Sequence, residues 1–119
     1  MKIIELTGTC TAGGAATLTS TTKVTGRVEK VVMDYDDGAT GADLTFTIEG
    51  VISQPLVTIT NAGVADLAWY PRGLGVALAG TAYTDVVVPY YLADETIQCV
   101  VAQGGVSKNF RFLIYVSDE

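Results

Sequence analysis

The sequence predicts an all-β protein: a single-domain antiparallel β-sandwich, jelly-roll-like or a related barrel, of about eight strands across residues 1–119. Three observations predict it. Thr, Val and Gly are abundant, a bias that favours strands and turns over helices. Apolar and polar residues alternate with a period of two, as where Leu44, Phe46 and Ile48 interleave with Thr45, Thr47 and Glu49. Turn signals such as Gly13-Gly14, Asn61-Ala62-Gly63 and Gln103-Gly104-Gly105 punctuate these runs at the spacing of a sandwich or barrel. A chain of 119 residues is one domain by length. It can bury about two-thirds of the surface its unfolded form exposes.

Residues 2–9 read as a first strand, with Ile4 and Leu6 alternating with Glu5 and Thr7. Residues 17–24 are rich in Thr and Ser and suit an exposed or edge strand. Residues 28–49 form the pattern's centre. Val31, Met33 and Tyr35 make one apolar row and Leu44, Phe46 and Ile48 another. The acidic, glycine-containing link between them predicts a hairpin with a wide loop. A short Val51-Ile52 run follows Gly50, and Pro55 is expected to break the ladder there.

Residues 56–60 form a further strand, with Val57 and Ile59 on one face. Tyr70-Pro71-Arg72-Gly73 is loop chemistry, since Pro fixes its own φ and extends the residue before it. Residues 74–84, rich in Gly and Ala, read as a loop. Residues 85–91 are a continuous apolar run that Pro89 assigns to an edge or a bulge. Residues 96–102 form a strand, and 109–117 the last one. In that last strand Phe110, Phe112, Ile114 and Val116 share a face, while Leu113 and Tyr115 add apolar weight to the other. Both faces are expected to be covered, which makes it a central strand or a subunit contact.

Charge and composition exclude several function classes. Thirteen acidic against seven basic residues give a net charge of −6. Such a chain is repelled by phosphate backbones, and its Lys and Arg residues are scattered, so no nucleic-acid partner is expected. Histidine is absent, which removes the commonest general base and the commonest zinc ligand. Without it neither Ser nor Cys has an activating partner, no carboxylate pair stands out as acid and base, and no enzyme is expected. No cofactor is expected either. No stretch approaches a membrane span. The N-terminus has no apolar run long enough for a signal peptide, and Glu5 interrupts it. Synthesis in a reducing cytoplasm is the expectation, with Cys10 and Cys99 as buried free thiols.

Two groups of residues are candidates for a site. Asp34, Asp36, Asp37 and Asp43 cluster around the central loop, where hard oxygen ligands can hold Ca²⁺. The glycine falls one place early for a calcium loop and no bidentate Glu follows, so a solvated hairpin tip is the expected reading. Trp69, Tyr70 and Arg72 gather around Pro71, and Tyr90 and Tyr91 follow Pro89. Aromatic residues and Arg dominate protein-binding hot spots, because they join a large contact area to a polar handle. The alternative for Trp69 is to close one end of the core. Consecutive tyrosines on a strand point to opposite faces, so one of the pair is expected in the core and the other at a surface. Trp69, Tyr70 and Tyr91 would also make a stacking platform for a carbohydrate.

At residues 28–49, 58–63, Tyr70-Pro71-Arg72, 100–105 and the ending Tyr115-Val116-Ser117-Asp118-Glu119, the chain resembles small virion structural proteins of tailed bacteriophages. The resemblance implies a capsid decoration, or cement, protein on the outer surface of the virion head. It implies the major capsid protein as partner and a homo-oligomer, typically a trimer. A head–tail or tail component is the other virion role it admits. Net negative charge suits the outside of a shell better than the side facing packaged DNA.

Overall fold

A computed structural model describes residues 1–34, 41–62, 67–76 and 82–117, with backbone alone at 61, 67, 73–76 and 82–89. The described residues form ten strands and no helix. They are β1 (Lys2–Thr9), β2 (Ala16–Thr19), β3 (Val24–Met33), β4 (Ala42–Glu49), β5 (Gln54–Ala62), β6 (Leu67–Trp69), β7 (Arg72–Val76), β8 (Ala82–Pro89), β9 (Tyr91–Ala102) and β10 (Asn109–Ser117). All pairings are antiparallel. Eight strands share one sheet in the order β1-β10-β3-β9-β4-β5, with β2 added to β9 and β6 to β3. Strands β7 and β8 pair only with each other in a separate two-stranded sheet.

The twelve-residue β9 organises the fold. Its start pairs with β3, through Arg27↔Tyr91, Gly26↔Leu92 and Val24↔Glu95. From Thr96 onward it pairs with β4, and from Gln98 to Val101 also with β2. Within the first half, between Leu92 and Glu95, Asp94 takes a left-handed φ of 57°, a conformation that Asp tolerates better than most residues. At the same crossing Ser20, the buried polar residue there, accepts the Ile97 N–H on its hydroxyl and donates its own N–H to the Ile97 carbonyl, both at 3.0 Å. The ladder therefore stays satisfied where β2 gives way to β3.

Bent at this corner, the sheet turns its apolar rows towards each other. Leu6, Val28, Val31, Phe112, Ile114 and Val116 from one part meet Leu18, Leu44, Phe46, Ile48, Ile97 and Cys99 from the other in one buried cluster. Phe46 and Phe112, three strands apart in the sheet order, touch edge to face at 5.1 Å between ring centres. Phe110 stacks on Phe112 at 5.9 Å.

The all-β expectation holds, and β10 is central, between β1 and β3. Three local expectations do not hold. Residues 28–49 are not a hairpin: β3 and β4 never pair, because β9 lies between them and pairs with both. Alternation reveals which face of a strand is apolar but not which strand lies beside it. Residues 74–84 are not simply a loop, since 74–76 and 82–84 lie in β7 and β8, with Leu74 opposite Val87 and Val76 opposite Ala82. The Val86-Val87-Val88 run offers those small residues a backbone ladder that their own weak pattern does not announce. Val51 and Ile52 form a bend and no strand. Pro55 sits inside β5 opposite Thr47, where the register shifts, because β5 is an edge and a missing N–H costs nothing on the open side. Tyr35 and Gly63 lie outside the described residues.

Both cysteines are free and buried. Burial pushes the Cys99 thiol well above its ordinary pKa, since the apolar core penalises the thiolate. The native protein should therefore resist alkylation at pH 8, with both thiols labelled only after denaturation. The unfolded thiol releases its proton near pH 8.5 while the native one keeps it. Stability should fall as pH rises beyond that value, by up to about 1.4 kcal/mol per pH unit from this group. Urea titrations at pH 8 and pH 10 measure it, and a Cys99→Ser comparison assigns it.

Candidate functional site

The aromatic and Arg residues singled out in the sequence come together around one feature, the root of the β7–β8 hairpin. The hairpin leaves the body after Trp69 and returns before Tyr91, with Arg72 opposite Pro89 as its first pair. Both ends lie along one edge of β3. Trp69 is opposite Val31 on that edge, and Tyr91 is opposite Arg27. The Val28 N–H donates to the Tyr90 carbonyl at 2.8 Å.

Between those two pairings the edge of β3 is open at Glu29 and Lys30. Here β3 bulges. Val28 and Lys30 face Val116 and Tyr115 of β10, and Glu29 is the extra residue. The Arg72 guanidinium fills the gap, with Nη1 donating to the Glu29 carbonyl at 3.3 Å and to the Pro71 carbonyl at 2.7 Å. Arg72 is thus exposed yet tied to the backbone on both sides. It stitches the hairpin root to the sheet and holds a positive charge at the surface.

The root divides its aromatics. Trp69 and Tyr90 are half-buried and pack against the core. Tyr70 is 62% exposed and Tyr91 52%. The expected split of the tyrosine pair is what the structure shows. Trp69, opposite Val31, packs partly against the core, while Tyr70 and Tyr91 keep most of their exposure. On β3 alongside, Arg27 is opposite Tyr91 and lies 3.7 Å from Glu29, and the Lys30 Nζ stands 4.6 Å over the Tyr115 ring of β10.

The aspartate cluster is dispersed as far as it is described. Asp34 is bound by the Arg111 guanidinium, which also donates to Glu5 at 2.7 Å. Those hydrogen bonds, to Glu5 first and then Asp34, push the Arg111 pKa further up. Asp43 accepts from Gln103 at 3.5 Å. Asp36 and Asp37 lie outside the described residues. Among the described residues no three potential metal ligands converge.

A second surface had no counterpart in the sequence reading. An open groove of about 700 Å³ lies at the β4–β5 turn, bounded by Lys23, Glu49, Val51, Ile52, Asp94 and Glu95. Val51 is fully exposed and Ile52 73% exposed. Glu49 accepts from Thr47 at 2.7 Å and from Ser53 at 3.2 Å, and Glu95 accepts the Ala93 N–H at 2.9 Å. The available signal was an apolar pair directly after glycine in a turn, where no core face calls for it.

No family model, curated protein or solved structure matches the chain.

Proposed function

We propose that the chain is a bacteriophage virion structural protein, a capsid decoration protein that stabilises the head by binding the outside of the major capsid shell. The reading makes it a module for gripping neighbours, with no catalytic task, no cofactor, and no nucleic-acid or membrane partner. The observation that carries it is the hairpin root. Tyr70 and Tyr91 stand exposed beside a backbone-anchored Arg72, on a rigid all-β body. Exposed tyrosines and Arg bind protein surfaces through large contact area and a polar handle, and an Arg held in place beforehand does so at lower entropic cost. The acidic balance of the chain, −6 overall, adds support for an outward-facing position.

Cryo-EM of the virion tests the proposal directly. Decoration requires the protein on the outer head surface in hundreds of copies, whereas a connector would supply about one ring. Its absence from particles, or a place in the tail, would overturn the reading. A paired Tyr70→Ala, Tyr91→Ala variant should leave the melting temperature within a few degrees. Its occupancy on undecorated heads should nevertheless fall sharply. Unchanged occupancy would remove the root from the contact.

A further inference from the structure

We propose that the root of one copy receives the Val51–Ile52 tip of a second copy. The proposal rests on the reading of the chain as an assembly module and adds that the root joins neighbouring copies on the shell, so that losing its tyrosines lowers occupancy by breaking those joins.

Two surfaces of the same chain complement each other in polarity and charge. The tip is apolar, with Val51 and Ile52 almost wholly in water. Its groove is bounded by the carboxylates of Glu49, Asp94 and Glu95, with Lys23 as the one cation. The root is the reverse. It offers exposed Tyr70 and Tyr91 beside three cations of β3 and the hairpin: Arg27, which is opposite Tyr91 in the ladder and 3.7 Å from Glu29, Lys30, and Arg72. Apolar tip against tyrosine faces, carboxylate rim against cations, is the pairing a shared interface needs. Tyrosine also adds a hydroxyl that can donate to a carboxylate.

Within one copy the two surfaces keep a fixed spacing, because Tyr91 and Glu95 stand on the same strand, four residues apart; the contact is therefore made between copies. The two halves are different surfaces, so each copy both gives and receives, in a two-fold pair or a closed ring.

The test is light scattering of the purified full chain over a concentration series. The wild type should self-associate, and added salt should weaken it by screening the rim. A tip variant, Val51→Asp with Ile52→Asp, and a root variant, Tyr70→Ala with Tyr91→Ala, should each weaken association roughly 30-fold. Mixed in equal amounts, the two variants should form a heterodimer, because one retains an intact root and the other an intact tip. Circular dichroism checks that each variant is folded. If the tip variant is not, Glu49→Lys and Arg27→Glu replace the pair: each alone should dissociate, and the mixture should re-associate. A wild type that stays monomeric throughout overturns the proposal, as do variants that associate like the wild type or a mixture that recovers nothing. The two readings fail separately. Self-association in a protein absent from virions removes only the decoration role. A decorated head with a chain monomeric in solution removes only this contact.

Discussion

Replacing Gly26 with alanine is expected to destabilise the protein by about 3–5 kcal/mol, a large share of a typical domain's stability. Gly26 has a φ of +147°, a region where L side chains are strained. It also lies where β3 slips register against β9, between Val24↔Glu95 and Gly26↔Leu92, while its other side faces β10. A Cβ built there collides with the Ser117 carbonyl oxygen and comes within 2.8 Å of Val116 Cγ1. The oxygen belongs to backbone, so no rotamer change relieves it; β10 must move away from β3. Gly8 provides the contrast. A Cβ there meets the terminal methyl of Leu18, a flexible end, and its φ is ordinary. Gly8→Ala should cost only about 1–2 kcal/mol. Urea unfolding of the two variants compares them, and a Gly26→Ala protein as stable as Gly8→Ala would sink the argument.

Phe112→Ala is expected to cost about 3–5 kcal/mol through lost burial and the cavity left behind. Phe112 has no exposed surface and contacts both Phe46 and Phe110. The melting temperature should drop by roughly 10–20 °C. The direction of its contacts makes this position special. Phe110 is a neighbour on its own strand, whereas Phe46 comes from β4, across the core. A double-mutant cycle between Phe46→Leu and Phe112→Leu should show coupling of about 0.5–1.5 kcal/mol, the range for aromatic pairs. Strict additivity would mean that the two parts of the sheet are held together elsewhere.

Much of the strand content was legible in the residues. Alternation located β1, β4 and β10 closely, because each has one face against the core and a period of two records that. The root residues were legible as types: Trp69, Tyr70, Arg72, Tyr90 and Tyr91 flank two prolines in segments twenty residues apart. Their meeting was not legible, since it depends on a hairpin whose Gly- and Ala-rich first strand carries little pattern. By type Arg72 is a hot-spot cation; its bonds to the Glu29 and Pro71 carbonyls depend on the bulge at Glu29 that opens the edge of β3.

By itself the sequence determined that this chain is all-β and which positions face its core. Those properties are local, written in side-chain alternation and turn residues. Only the tertiary structure decided that β9 separates β3 from β4, that the exposed tyrosines share one root, and that an acidic-rimmed apolar tip stands nearby. Strand order and surface proximity arise from pairing between distant segments, and a backbone ladder forms between any two strands whose apolar faces can be buried together.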